Sequence, residues 1–410
     1  MGFLSGFYPA LTFASFNPIR ALKGMTMPTQ RKPWLRNGLV VFQFTVCIVM
    51  IVSTLVVHKQ LTFMTGKNLG FAKEQVLVIK RPEGLKDNKV AFKNELLQTT
   101  GILSASYTET TPGRHFNGHG QHLEGTPKTQ IETIYPFIAD ENIFETLDLK
   151  LIEGRQLKAQ DMKTPKGILN EAAVKLLGIE NPLEAKIDEG TLGKTEVDVI
   201  GVVKDFHFKS FHHKVEPLVI YPLDVENDPQ HRITYLLVRI STNDITSILN
   251  HIEGQWKKLA GNYPFEYSFL DDDFNRLFEK EQTMVKVYTV FSIISIALFC
   301  LGLLGITSFF AAKRTKEIGI RKIVGASFSN IAILLSRDFL NLLLIAIGIG
   351  SGCAWYLMDV WMQDFVYRTE MSWWIFALGG GSVFLIALIT VSWHLYHAAS
   401  RNPVDTLKYE

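Results

Sequence analysis

Four stretches of the sequence hold no Asp, Glu, Lys or Arg over twenty or more residues: Gly38 to Val57, Val287 to Ala312, Phe339 to Met358 and Trp373 to Leu395. A helix rises about 1.5 Å per residue, so roughly 20 apolar residues cross a hydrocarbon layer about 30 Å thick. Each stretch is expected to cross a membrane as a helix, which satisfies its own backbone in lipid. The composition agrees, with 47% hydrophobic and 20% charged residues over 410, more apolar than an average soluble chain. Residues 1 to 13 are apolar too but too short to span alone, as though the chain begins part-way through a further helix. Their lack of a basic leader or a small-residue cleavage site argues against a signal peptide.

The placement of charge orients the spans. Arg20, Lys23, Arg31, Lys32 and Arg36 precede the first, and Lys313, Arg314, Lys316, Arg321 and Lys322 follow the second. Basic flanks stay in the cytoplasm, so residues from about 58 to 284 are expected outside. The loop from Asp359 to Glu370, with three acids against Arg368, fits the same side. The net charge of +2 gives no global argument for nucleic-acid binding.

The large middle region alternates β-like runs ("QVLVIK", "VDVIGVV", "PLVIYP", "TYLLVRI") with helical ones ("KVAFKNELLQTT", "NEAAVKLLG", "DITSILNHIEGQWKKLA"). In the last of these, Ile245, Ile248, Leu249 and Ile252 share a face. The pattern predicts an α+β domain with its own core. Phe274, Leu277 and Phe278 before the second span, and Val57, Leu61 and Met64 after the first, predict that both membrane helices continue outward as a stalk.

Other motifs are weaker. Cys47, Cys300 and Cys353 all lie in apolar runs, which leaves none for a disulfide or a zinc site in the middle region. His115, His119, His122, His207, His212 and His213 match no established metal spacing and read as surface or strand-end histidines. Asp271 to Asp273 lacks the ligand alternation and turn glycine of a calcium loop and reads as a helix N-terminus. "GTLGKT" has Asp188 where a phosphate loop needs glycine, and no ATPase activity is expected. Gly302, Gly305, Gly348, Gly350 and Gly352 are expected to let helices of this chain or a partner pack closely. The four apolar stretches hold no acidic or basic residue besides His394, which argues against an ion path or a proton-coupled transporter.

The segment "KRTKEIGIRKIVGAS", residues 313 to 327, is the most specific local feature. As a helix it stacks Lys313, Glu317 and Arg321 as a charge ladder beside Ile320, Ile323 and Val324. It reads either as a plain topology-setting basic loop or as a docking surface. A second pattern joins the two ends: "ASFNPIRALKG", residues 14 to 24, and "ASRNPVDTLKY", residues 399 to 409, share Ala, Ser, Asn, Pro, Leu and Lys in ungapped alignment. One structural unit is expected to end near residue 24 and a related one at residue 409.

On "RTKEIGIRKIVGAS", the order of one span, a large outer domain and three spans, and the closing "NPVDTLKYE", the chain resembles the MacB/FtsX-type permeases of ABC transporters. "NEAAVKLLG", "GVVKDFHFKSFHHKVEPLVIYP" and "IEGRQL" look like the MacB-type periplasmic core domain. "YPALTFASFNPIRALKG" is similar to the sequence closing the first half of large duplicated permeases, so this chain resembles a second half, whether a short natural protein or a fragment. The resemblance implies a four-helix membrane protein with an α+β extracytoplasmic (MacB-like periplasmic core) domain between helices 1 and 2. It implies contact with a separate ABC-type ATPase through Arg314, Lys316, Glu317, Gly319, Arg321, Lys322 and Gly325. It implies no cofactor of the chain's own, ATP being bound by the partner.

The layout expected is a remnant and cytoplasmic linker over 1–37, spans over 38–57, 285–312, 331–358 and 373–396, and the periplasmic domain with stalk helices over 58–284. A coupling loop over 313–330, a short outer loop over 359–372 and a cytoplasmic tail over 397–410 complete it. The function expected is that of a permease subunit in a bacterial cytoplasmic (inner) membrane, exporting or extracting a hydrophobic or amphipathic substrate. A second permease half or a homodimer, membrane lipid and a periplasmic partner are implied as companions, and no nucleic acid. The alternatives are an FtsX-like regulator of a periplasmic partner and an inactive half-permease scaffold.

Overall fold

The computed structural model describes residues 33–123, 132–188, 196–227, 233–241, 244–313 and 328–399. Among them, four helices are long and apolar enough to cross a membrane. These are α1 (Pro33–Gly66), and three that take the labels α7 (Glu279–Lys313), α8 (Phe328–Met362) and α9 (Trp373–Ala399) in chain order. A mixed α/β domain lies in the chain between α1 and α7. Its helices are α2 (Lys89–Leu97), α3 (Ile143–Leu147), α4 (Glu171–Leu177), α5 (Ile245–Ala260) and α6 (Leu270–Asn275).

The described residues fall into two compact units. One gathers those up to Met50, those of Ile293–Cys353 and those from Phe376 onward; the other holds those of Ile51–Ser292 and Ala354–Ile375. In the first, Phe44 meets Phe299 edge to face at 4.8 Å between centroids, and Gln43 donates from Nε2 to the Leu298 carbonyl at 2.6 Å. A side-chain amide in an apolar helix is tolerated when it finds such a partner. The outward-facing Leu301, Leu344, Ile345 and Ile389 are exposed, as lipid-facing residues are.

The second unit is built on one eleven-stranded sheet. Its strands are β1 (Val76–Lys80), β2 (Ile102–Thr108), β3 (His119–Leu123), β4 (Glu132–Ala139), β5 (Leu151–Gly154) and β6 (Lys166–Asn170), followed by β7 (Lys186–Asp188), β8 (Glu196–Val203), β9 (Leu218–Pro222), β10 (Tyr235–Ile240) and β11 (Glu266–Phe269). The order is β11-β1-β10-β2-β4-β3-β7-β8-β6-β9, with β5 on β8. Strand β9 also pairs with β4, in parallel from Tyr135↔Leu218 to Ala139↔Pro222, so the path from β4 to β9 closes on itself. The remaining four strands join that ring through a single β2–β4 register pair, Thr108↔Ala139.

The run "VLVI" in β1 is buried on both faces, which is why it is continuously apolar rather than alternating. Val76 and Val78 enter one core with Phe137, Phe206, Phe208, Phe211, Phe274 and Phe278. Leu77 and Ile79 enter the other with Phe92, Tyr107, Ile252 and Trp256. Helix α5 buries Ile248, Ile252 and Trp256 and leaves Ile245 and Leu249 half-covered, so the apolar stripe continues one turn past the four positions expected from the sequence. Asp244 caps that helix by accepting the Ser247 N–H at 3.1 Å, a standard N-cap. Asn170 does the same for α4 through the Ala173 N–H. Asp271 to Asp273 fill the first turn of α6, where negative charge meets the helix dipole favourably.

Candidate coupling junction

Near its C-terminal end α1 carries two polar residues, Lys59 and Gln60, that engage the chain joining α8 to α9. Gln60 is fully buried. Its Nε2 donates to the Tyr367 carbonyl at 2.7 Å and its Oε1 accepts the Thr369 N–H at 2.9 Å. A buried amide is costly unless both ends are paired, and here both are. Lys59 Nζ donates to the Glu370 carbonyl at 2.9 Å and to Ser372 Oγ at 3.1 Å, and lies 5.6 Å from the Trp374 ring centroid.

The same segment meets the chain that follows β8, "DFHFKSFHH". Phe206, Phe208 and Phe211 are buried there, and the His207 N–H donates to the Leu69 carbonyl at 2.7 Å. That close approach sets Gly70 at φ +84°, with an ideal Cβ only 2.8 Å from the Asp205 carbonyl oxygen, a place that glycine alone fills without strain. The His207 ring lies 4.5 Å from Phe211 and 5.0 Å from Tyr367. The Lys67 ammonium sits 3.2 Å from the Tyr367 centroid, a cation on a π face. Burial, aided by the nearby Lys67 charge, pushes the His207 pKa down to about 4, so the ring is neutral at pH 7. Burial also lowers the pKa of Lys67.

Five residues on, His212 Nε2 lies 3.2 Å from Glu281 Oε1 at the start of α7, and its ring is 4.5 Å from Phe365. The hydrogen bond to Glu281 outweighs burial and raises the His212 pKa. Phe211 stacks at 6.2 Å on Phe278, the residue immediately before α7. Three chain segments (the end of α1, the approach to α7 and the link from α8 to α9) thus meet the post-β8 segment through named side chains. Among the described residues no group of three His, Cys, Asp or Glu is placed to hold a metal ion.

His207 is buried rather than at the surface, because aromatic rings enclose it. His213 and His115 are exposed and His119 is half-buried. The backbone of His122 pairs in register with Asp188. Arg314, Lys316, Glu317, Gly319, Arg321, Lys322 and Gly325 lie outside the described residues, as do both copies of the terminal repeat apart from Ala399. Of the five glycines, Gly302 would place a Cβ 2.7 Å from Gln43 Oε1, and Gly350 one 3.1 Å from Ile48, so both sit against α1. Among the described residues, nothing beyond their own helix backbone lies within 4 Å of that position at Gly305, Gly348 and Gly352. The residues missed in the sequence are Gln60, Lys67, Glu281 and Tyr367, while His207 and His212 were read only as surface or strand-end histidines. A polar Gln closing a long apolar run, and a segment alternating Phe with His and Lys, were the signals available.

A helical membrane protein with a mixed-sheet domain inserted after its first span is the class that this architecture defines. Residues 289–403 match the family model described as FtsX-like permease C-terminal. No curated protein matches the chain. Among solved structures, the periplasmic region of MacB from Actinobacillus actinomycetemcomitans is similar at 20% identity, covering 50% of this chain and 94% of that one, with a TM-score of 0.36. A permease domain from Porphyromonas gingivalis is similar at 13% identity, covering 48% and 91%, TM-score 0.35. The extracellular domain of the noncanonic ABC-type transporter YknZ from Gram-positive bacteria is similar at 14% identity, covering 51% and 92%, TM-score 0.30.

Proposed function

We propose that the chain is the membrane subunit of an ABC transporter whose ATPase is a separate protein. The ATPase docks on the cytoplasmic segment 313–330, with Arg314, Glu317, Arg321 and Lys322 pairing across the interface and Gly319 permitting close approach. ATP is bound by that partner, and the chain itself does not hydrolyse it. Closure of the ATPase displaces the membrane helices, and the domain between α1 and α7 moves with them on the periplasmic side of a bacterial cytoplasmic membrane. The work done there is export or extraction of a hydrophobic or amphipathic molecule, with a second permease half or a second copy completing the membrane part.

The observation that carries this reading is the match of residues 289–403 to an FtsX-like permease. The junction at Gln60, His212 and Tyr367 supports it, because it ties the approach to α7 and the ends of α1 and α8 to the inserted sheet domain. The test is affinity purification of the chain in mild detergent from its native cells, with Glu317→Lys and Arg321→Glu alongside. An ABC ATPase that accompanies the native chain and is lost from both variants is the expected result. Absence of any ATPase under conditions that keep other such complexes intact would overturn the proposal in favour of a scaffold.

A further inference from the structure

One ring, that of His212, joins the post-β8 segment to both the start of α7 and the link between α8 and α9. Its Nε2 lies 3.2 Å from Glu281 Oε1, and the Glu281 side chain is 5% exposed against 30% for His212. The other carboxylate oxygen, Oε2, is buried and has no hydrogen-bond partner among the described residues. A carboxylate so enclosed depends on the charge beside it, because a buried ion stripped of its partner is left uncompensated. The same ring lies 4.5 Å from that of Phe365, which is buried in one core with Phe211 and Phe278. A hydrogen bond at the Asp364 backbone also favours the charged ring, as acceptance by a carbonyl does. A charged imidazole has two N–H donors and a neutral one has a single donor. Loss of the proton therefore leaves the Glu281 carboxylate or the Asp364 backbone without its donor.

Each segment packed here brings its own charges. From α7 come Glu281 and the exposed Lys280, whose charge opposes protonation of the ring less strongly than Glu281 favours it. The post-β8 segment itself brings Lys209 and His213, both turned to Glu216. The link brings the exposed Asp364, and the end of α1 brings Lys67, which sits over the Tyr367 ring. The hydrogen bond to Glu281 outweighs burial and lifts the His212 pKa above its ordinary 6.5. Burial pushes the Glu281 carboxyl up, but its bonds to the His212 ring and to the backbone, with the charges of His212 and Lys280, bring it below the ordinary value. The two shifts agree, and together they describe an ionised pair. What the charged ring contributes is complete below about pH 6.5 and is lost as pH rises through the higher folded value.

We propose that His212 is a proton-operated latch: charged, it holds the start of α7 and the α8–α9 link on the post-β8 segment, and neutral, it lets both go. The latch lies within the unit that carries the sheet and does not rest on the transport reading. The test is hydrogen exchange of the full chain in detergent, read by mass spectrometry from about pH 5.5 to about pH 9. Rates are expressed as protection relative to an unstructured chain at each pH, so that the chemical pH dependence of exchange cancels. Protection of residues 281–285 and 364–369 is expected to hold steady below about pH 6.5. It should then fall about tenfold for each pH unit up to the folded pKa. His212→Gln, which keeps a neutral N–H near the Nε2 position, should show low protection at both segments and no fall. Glu281→Gln, which removes the charge that favours the protonated ring, should shrink the fall. Should one variant fail to fold, the other decides. A native profile with no fall, a fall at one segment without the other, one that survives in His212→Gln, or one undiminished in Glu281→Gln overturns the proposal. None of these outcomes involves an ATPase, so the transport reading stands or falls separately.

Discussion

Replacing Lys93 by methionine should remove about 3–5 kcal/mol from the stability of the sheet domain at neutral pH, the usual cost of stripping one partner from a buried ion pair. Lys93 Nζ lies 2.7 Å from Asp140 Oδ2, with the Asp140 side chain at 0% exposure and that of Lys93 at 10%. Asp140 also accepts from Ser106 Oγ at 2.7 Å, the Tyr107 N–H at 2.9 Å and the Asn142 N–H at 3.1 Å. Those donors hold the carboxylate in place but cannot supply its countercharge. Burial already raises the Asp140 pKa, and without Lys93 it rises further. An acid with a raised folded-state pKa binds its proton more readily folded than unfolded, so stability falls as pH rises through that pKa. The deficit of the variant should therefore shrink as the pH is lowered from neutral towards the usual carboxylate value. Hydrogen exchange of the full chain in detergent reads the local opening free energy of β2 and β4 amides directly. The double variant Lys93→Met with Asp140→Asn, which keeps an acceptor and removes the charge, should recover most of the loss. A deficit below about 1 kcal/mol, or one that does not change with pH, would refute the account of Asp140 as an otherwise uncompensated buried charge.

Three further outcomes follow from the geometry. Gln60→Leu should speed hydrogen exchange at the Thr369 amide by about tenfold, as expected for losing one well-made hydrogen bond, while leaving β1 and β10 amides unchanged. His212 has its pKa raised from 6.5 by Glu281, so the stability it contributes is full below about pH 6.5 and is lost as pH rises through its higher folded value; a thermal-melt series across that window should flatten in His212→Asn. Gly302→Leu, whose side chain would enter the space of Gln43, should lower the melting temperature of the purified chain by several degrees, whereas Gly305→Leu, with open space at the same atom, should not. Equal shifts in the two variants would refute that contrast.

The long apolar spans and the strands "VLVI", "DVIGVV", "LVIY" and "YLLVRI" were legible because each is an uninterrupted or alternating apolar run that must be buried. Strands β3 ("HGQHL"), β5 ("LIEG") and β7 ("KID") were not, since they are short or polar and gain their place from neighbours rather than from their own composition. Nor could the sequence give the return of β9 to β4, which pairs residues more than eighty apart. Trp256 was missed on α5 because the stripe was counted one turn too short. The junction was hidden for a different reason. Gln60 and His207 look like polar residues at the margin of an apolar run, and what makes them buried is contact with Tyr367, some three hundred residues from the first and 160 from the second.

Gln60 grips the link between α8 and α9 by its peptide groups, one carbonyl and one N–H, and not by the Thr369 side chain. A primary amide is a copy of a peptide unit, so this grip reads no side-chain identity at position 369. Sequence drift there is free so long as an N–H remains, and proline is the one natural replacement that takes it away. The anchorage of this link is thus expected to outlast divergence in the residues that it holds.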